Sequence, residues 1–164
     1  MKAPICAVCI SSECLCAGCN EKLECGEITR NDVDISKLLF RLKKKFSLHD
    51  VDFQKSIDIN GFILILTSGD VASLIGRHGR VVRLISEELG KWVRIINVSD
   101  PRTIVQDLVY PARVYGLNIL HTPEGEEYKV IVPKEDRSKL VMDDESLNKA
   151  LDVLLNKKAE IEFR

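Results

Sequence analysis

One order of predicted elements occurs twice in this chain of 164 residues. Residues 29–99 follow the order helix, strand, strand, helix, glycine loop, helix and strand, and residues 100–164 repeat it at a period of about 65 residues. A unit of this length has room for one small hydrophobic core. The repeat therefore predicts an α+β fold with two tandem domains, 29–99 and 100–164, preceded by a separate cysteine-rich segment, 1–28.

The first copy carries clear local signals for its elements. Thr29 and Asp32 fit a capping box at the start of a helix whose apolar residues recur at helical spacing up to Phe46. The stretch "VDFQKSIDI" follows with alternating apolar residues, which predicts a strand with Val51, Phe53, Ile57 and Ile59 on one face. Asn60 and Gly61 predict a type I′ hairpin turn into a buried strand, because both positions of that turn need positive φ.

The loop "GRHG", residues 76–79, interrupts a helical apolar pattern that resumes at once. Glycines at both ends allow a nucleic-acid backbone to approach the main chain, and the amides that open the next helix then face the phosphates. The cationic or polar side chains that we expect to contribute to such a site are Arg77, His78, Arg80 and Arg83, extended by Lys91 and Arg94 on the final strand. The competing interpretation is that Gly76 and Gly79 only end one helix and begin another.

Charge is distributed unevenly along the chain. Residues 1–33 have a net charge of −2, residues 34–99 of +4 and residues 100–164 of −3. Only the middle segment, which contains the glycine loop, suits a polyanionic partner.

Taken with the repeat, the loop resembles that of the KH family in its type II arrangement, in which a helix and a hairpin precede the GxxG loop. The tandem pair, the join "NVSDPRTIVQDLVYPARV" and the final "PKEDRSKL" are similar to the KH pair of the NusA family in its short archaeal form, over residues 30–164. The resemblance implies a non-catalytic factor that binds single-stranded RNA in transcription elongation or termination, with RNA polymerase as a partner. KH domains hold about four unpaired nucleotides beside this loop. A ribosome-associated or RNA-processing role, and a zinc-dependent protein adaptor, are the alternatives.

The second copy departs from the family pattern. Aligning Leu140 with Ile75 places "VMDD", residues 141–144, opposite "GRHG". Two carboxylates would repel phosphates, and Val141 supplies a Cβ where close approach is needed. We therefore expect the second copy not to bind RNA. It would instead serve as a packing partner for the first copy, as a spacing element or as a protein-binding surface.

Six cysteines lie within the first 25 residues and none follow. Cys6 and Cys9 form one CxxC pair, and Cys16 and Cys19 form another. Two such pairs predict one closed tetrahedral zinc site of structural purpose. Cys14 and Cys25 are left over, so an iron–sulfur cluster or a second metal stays open as an alternative. The leader "PICAVC…CAGC" is similar to that of short archaeal KH proteins, which favours zinc.

The sequence lacks the motifs of several common enzyme classes. The sequence has no GxxxxGK[ST], HExxH or GxSxG motif, so we expect neither an enzyme nor a small-molecule substrate. No signal peptide or long apolar run is present, which predicts a cytoplasmic protein without membrane contact. Trp92 is expected in the core, and His49 and His121 in loops.

Overall fold

The computed structural model describes all residues from Met1 to Arg164 and divides them into two compact units, Met1–Ile95 and Ile96–Arg164. The fold is α+β, with seven α-helices and two three-stranded sheets. The cysteine-rich segment belongs to the first unit, and the division falls four residues before the predicted boundary at 99/100. None of the helices is both long and apolar enough to cross a bilayer.

The first unit contains, in chain order, α1 (Ala7–Ser11), α2 (Ala17–Glu24), α3 (Arg30–Phe46), β1 (Val51–Ile59), β2 (Phe62–Gly69), α4 (Val71–Ile75), α5 (Arg80–Leu89) and most of β3 (Trp92–Asn97). The division between the units falls within β3, after Ile95. A short 3₁₀ turn, Arg77–Gly79, connects α4 to α5. The strands lie in the order β1-β2-β3, so that β1 and β3 are the edges.

The start of α3 is fixed by the predicted capping box. The Thr29 hydroxyl accepts a hydrogen bond from the Asp32 amide at 3.2 Å, and the Asp32 carboxylate accepts one from the Thr29 amide at 2.7 Å. The other carboxylate oxygen accepts from the amide and the hydroxyl of Ser56 on β1, at 2.5 and 2.7 Å. Asp32 is buried, and it thus caps the helix and joins it to the sheet.

The β1–β2 hairpin turns at Asn60 and Gly61, whose φ values of 50° and 87° confirm the predicted positive-φ turn. The predicted alternation along β1 is wrong beyond Phe53, because the register shifts between Phe53 and Lys55. A bulge adds one residue to a strand and moves the following side chains to the opposite faces. Ser56 is therefore buried next to α3, and Ile57 is only half-buried.

The core of the first unit lies between the sheet and the helices α3, α4 and α5. It unites side chains from all six of these elements, and its buried members include Ile35, Leu39, Phe53, Ile65, Leu74, Val81, Ile85 and Ile95. The amphipathic spacing along α3 and α5 explains why these two helices each present one apolar face to it.

Trp92 is not in the core, contrary to the prediction, because 62% of its surface is exposed. It begins the edge strand β3, in which Val93 and Ile95 point into the core. Alternation along a strand directs Trp92 to the other face.

The residues before α1 are attached to the edge of the sheet. The Lys2 amide donates to the Val51 carbonyl at 2.9 Å, and the Phe53 amide donates to the Lys2 carbonyl at 3.0 Å. The cysteine-rich segment is therefore held to the first unit at β1 as well as through its own packing.

The second unit contains α6 (Pro101–Val109), β4 (Gly116–Thr122), β5 (Gly125–Val132), a 3₁₀ turn (Lys134–Lys139), α7 (Asp144–Leu155) and β6 (Ala159–Phe163). It repeats the predicted element order, with β4 antiparallel and β6 parallel to the central β5. The β4–β5 turn is shorter than expected, since β4 continues to Thr122. His121 consequently lies on a strand and not in a loop, whereas His49 lies in a loop as predicted.

Asp136 is the buried polar centre of the second unit and is completely inaccessible to solvent. One oxygen accepts from the amide and Nε of Arg113, both at 3.0 Å, and the other accepts from Nζ of Lys139 at 2.5 Å. The hydrogen bond from the Arg113 guanidinium, followed by that from Lys139, holds the pKa of Asp136 well below its ordinary value. This carboxylate joins the segment before β4 to the 3₁₀ turn after β5.

Candidate functional site

The glycine loop has a backbone path that ordinary residues rarely adopt. Gly76 has φ 74° and ψ 171°, while His78 and Gly79 are both left-handed, with φ values of 52° and 71°. The Gly79 amide donates to the Gly76 carbonyl at 3.1 Å, which closes the turn. This path connects α4 to α5 through the four residues 76–79.

The two glycines are required for different reasons. A Cβ on Gly76 would lie 2.5 Å from Val81 Cγ2 and 3.1 Å from the Val81 amide nitrogen, so packing within the unit excludes any side chain. A Cβ on Gly79 would meet only Val82 Cγ1 at 3.6 Å, an ordinary contact. The interpretation that the glycines only join two helices therefore accounts for Gly76, whereas Gly79 is constrained by its φ alone.

The first turn of α5 carries no side-chain cap. Asp70, Asp100 and Asp143 each accept a hydrogen bond from an amide in the first turn of α4, α6 and α7, respectively. At α5 the corresponding residue is Gly79, which has no side chain to do so. The positive end of this helix dipole thus faces the loop without a carboxylate or hydroxyl from its own cap.

Four of the predicted site residues surround this helix start. Arg77, His78, Arg80 and Arg83 are all exposed. Arg77 and His78 lie in the 3₁₀ turn, and Arg80 and Arg83 lie on the first turn of α5. The loop is therefore bordered by three guanidinium groups.

Lys91 and Arg94 are not brought to the loop. Lys91 follows α5, a helix about 15 Å long at 1.5 Å per residue, and it forms an ion pair with Asp58 at 2.5 Å. Arg94 lies between the core residues Val93 and Ile95, so its side chain points to the sheet face opposite α5. The predicted extension of the basic surface by these two residues is therefore not seen.

The equivalent segment of the second unit has a different construction. Met142 is buried, and Asp143 accepts from the Ser146 amide at 3.0 Å as the cap of α7. Asp144 pairs with Arg137 at 2.6 Å. The start of α7 is thus occupied by the unit's own carboxylates.

A groove of about 430 Å³ opens beside the glycine loop on the side of α3, and sequence reasoning did not find it. It is lined by Phe46 from α3, Ala72 and Ser73 from α4, Gly76 and Arg77 from the loop, and Arg80 and Val81 from α5. Phe46 was assigned to the apolar face of α3, and it is half-buried against the core. Its position beside the loop follows from the packing of α3 against the sheet, which no local pattern shows.

The four predicted metal ligands converge on one point. The sulfur atoms of Cys6, Cys9, Cys16 and Cys19 all lie within 4.8 Å of one another, and none of these residues forms a disulfide. The Cys6 and Cys16 sulfurs are 3.9 Å apart. A tetrahedral site with Zn–S bonds of about 2.3 Å places its sulfurs about 3.8 Å apart, so the donor set fits such an ion.

Backbone amides are directed at these sulfurs. The Cys16 amide donates to Cys9 Sγ at 3.0 Å, and the Cys6 amide donates to Cys19 Sγ at 3.4 Å. A hydrogen bond from the Cys9 amide, with smaller contributions from neighbouring thiols, lowers the pKa of Cys6 to about 6. The pKa of Cys16 is lowered mainly by the Cys19 amide. These amides favour the thiolate form that a metal requires.

The Cys9 thiol shows the opposite tendency. The Cys16 amide lowers its pKa, but burial and the neighbouring thiols outweigh that effect and raise the pKa to about 12. Several thiolates cannot gather at one point without a cation to balance them.

The cysteine cluster is part of the packing of the first unit. The buried Cys9 and Cys19 share a small core with Ile5, Ile28 and Val33, and the last of these residues belongs to α3. The Lys37 ammonium on α3 also donates to the Glu13 carbonyl at 2.8 Å. Cys14 and Cys25 lie outside the cluster, and both are exposed.

Comparisons with known proteins bear on the fold. No protein-family model and no curated protein matches the chain. Among the solved structures, the crystal structure of APE1850 is 23% identical, with a TM-score of 0.53, over 76% of this chain and 96% of that one. At this identity the likeness shows a shared fold alone.

Proposed function

We propose that the chain is a non-catalytic factor that binds single-stranded RNA at the glycine loop of its first unit. The observation that carries this proposal is the start of α5, where a helix without a side-chain cap opens into a glycine loop bordered by Arg77, Arg80 and Arg83. Phosphates suit such a helix start, because its amides and dipole both favour negative charge.

The two units are interpreted as type II KH domains, of which only the first holds RNA. This interpretation rests on the resemblance of the sequence to the KH family, and the repeated order of helices and strands supports it. In the first unit the loop would hold the backbone of about four unpaired nucleotides. In the second unit the carboxylates of Asp143 and Asp144 occupy the place where phosphates would lie.

The cysteine cluster would hold one structural Zn²⁺ ion per chain. Cys6, Cys9, Cys16 and Cys19 supply four sulfur donors, which leaves no coordination position for water or a substrate. The ion would therefore stabilise the segment that covers part of α3 and would supply no reaction chemistry.

We place this activity in the cytoplasm, in transcription elongation or termination, as the resemblance to the NusA family implies. Native purification of the full chain separates this role from the alternatives. RNA polymerase subunits in the eluate are expected, while ribosomal subunits would point to ribosome-associated function or RNA processing. Recovery of other proteins without RNA would favour an adaptor.

The binding site itself is tested by reversing charge in the loop. Arg77→Asp together with His78→Asp places two carboxylates where the phosphates would lie, and affinity for an unstructured oligouridylate should fall below detection. Both positions are exposed, so folding should change by only about ±0.5 kcal/mol for each substitution. A thermal melt checks that the variant remains folded.

The matched control is Gln54→Asp with Lys55→Asp, an equal change of charge at exposed positions of β1. This variant should lose much less affinity, because its charges lie outside the loop and are screened by salt. Retained affinity in a folded loop variant would refute the proposal, and equal losses in both variants would reduce it to a general effect of net charge.

A further inference from the structure

We propose that the groove on the α3 side of the glycine loop receives one further nucleotide of the bound RNA, with its base stacked on Phe46. This inference rests on the proposed function and extends it. It assigns an RNA contact to α3, an element outside the glycine loop and the two helices that the loop connects.

The groove has the composition that a nucleotide requires. Its aromatic wall is Phe46, and its rim carries the guanidinium groups of Arg77 and Arg80. No carboxylate lines it, and the nearby carboxylate of Asp70 is engaged by the amide and hydroxyl of Ser73. The charge of the groove therefore complements a phosphate, while its wall complements a base.

The size and position of the groove agree with this occupant. A volume of about 430 Å³ lies within the range of about 300–1,000 Å³ that is usual for small-ligand sites. Gly76 and Arg77 belong both to the groove and to the glycine loop, and Arg80, which also lines the groove, directly follows the loop. If the phosphates of an RNA strand lie at the loop, the next nucleotide of that strand would therefore lie in the groove.

The last turn of α3 adds cationic side chains next to Phe46. This turn carries Lys43, Lys44 and Lys45 before Phe46. The Lys45 ammonium lies 5.5 Å from the centre of the Phe46 ring. A base on this ring would bring its phosphate close to that ammonium, so that stacking and charge neutralisation would act together.

The experiment compares oligouridylates of about four and about eight nucleotides, since about four fill the loop. In the full chain, Phe46→Leu keeps an apolar side chain against the core and removes the aromatic face. Loss of one stacked base should weaken binding of the octamer about tenfold, within the range measured for alanine substitutions at such sites. Binding of the tetramer should stay unchanged, and Phe46→Tyr should restore the affinity for the octamer.

Phe40→Leu provides the matched control, because it makes the same change on the same helix at a half-buried position that lines a different pocket. It should leave both affinities unchanged. Photo-crosslinking of a 5-iodouridine octamer gives an independent readout, in which Phe46 is expected among the crosslinked residues.

The outcomes separate this inference from the proposed function. If the unaltered chain binds neither oligonucleotide, the proposed function fails. If the loop variant loses the tetramer but Phe46→Leu binds the octamer normally, only the inference fails. Equal losses for tetramer and octamer would also overturn it, since Phe46 would then act on the segment held at the loop.

Discussion

At the scale of single residues, the two glycines of the loop should respond differently to substitution. Gly76→Ala places a methyl group 2.5 Å from Val81 Cγ2 at a φ of 74°, so we expect a loss of about 3 kcal/mol in the free energy of unfolding. Gly79→Ala makes only an ordinary contact with Val82 Cγ1 at 3.6 Å and should cost only about 1 kcal/mol, the penalty of a left-handed alanine. Denaturant titration of both variants measures the difference, and equal costs would contradict it.

Single residues also show which features could be predicted from the sequence and which could not. Thr29 and Asp32 could be assigned because a cap depends on neighbours three residues apart. The burial of Ser56 could not, since it depends on a bulge and on a carboxylate 24 residues earlier. Trp92 was misassigned because hydrophobicity gives no information about which face of the sheet its side chain points to, and the core residues of β3 are its neighbours Val93 and Ile95.

At the scale of elements, the helices α1 and α2 should depend on the metal. Cys6→Ser or Cys19→Ser removes one of the four converging donors, so the ion should be lost and both helices should lose protection against hydrogen exchange. The sheet core should remain folded, because the cysteines do not belong to it. Elemental analysis with exchange mass spectrometry tests this result.

Cys14→Ser and Cys25→Ser are the controls for that experiment. Both thiols are exposed and lie outside the cluster, so these variants should keep one zinc ion per chain. Iron, or two zinc ions, in the natively purified protein would contradict the proposed site.

The link that Asp136 makes between the segment before β4 and the 3₁₀ turn of the second unit should be sensitive to acid. The pKa of Asp136 is depressed below its ordinary value of 3.8, so the folded state favours the ionised carboxylate. The stabilisation is complete above that ordinary value and is lost as the pH falls through it towards the folded-state pKa. Acid titration monitored by Tyr fluorescence should show unfolding that is less steep in Asp136→Asn than in the unaltered chain. This variant should also have a lower melting temperature at neutral pH, because it loses the carboxylate that binds Arg113 and Lys139. An unchanged acid profile would refute this role.

At the scale of the whole molecule, RNA binding should belong to one unit. Residues 34–99 have a net charge of +4 and residues 100–164 of −3, and only the first unit has the glycine loop. We expect a fragment of residues 1–99, which keeps all of β3, to bind oligouridylate with a strong dependence on salt. A fragment of residues 100–164 should not bind. Equal affinity of the two fragments, each shown to be folded by circular dichroism, would contradict the assignment.

The element order of both units, their hairpins and the cysteine cluster could be predicted because each depends on short-range patterns. The groove beside the loop could not, since Phe46 and Gly76 are 30 residues apart and meet only through packing on a common sheet. The ion pair of Lys91 could not be predicted for a similar reason, because its partner Asp58 lies on β1. Sequence patterns thus identified the elements, and tertiary packing determined which of their side chains meet.

The start of α7 cannot be turned into a glycine loop like that of the first unit by glycines alone. Asp143 enters the helix from extended backbone, with φ −69° and ψ 160°, whereas Gly79 enters α5 from a left-handed conformation. The positions aligned with Gly76 and Gly79 are Val141 and Asp144, so placing glycine at both would remove the Asp144–Arg137 ion pair but would leave the Asp143 cap and the buried Met142 side chain in place. Two glycines alone therefore leave a carboxylate at the start of α7, and an engineer who wants an uncapped glycine loop in the second unit must exchange the whole segment between β5 and α7.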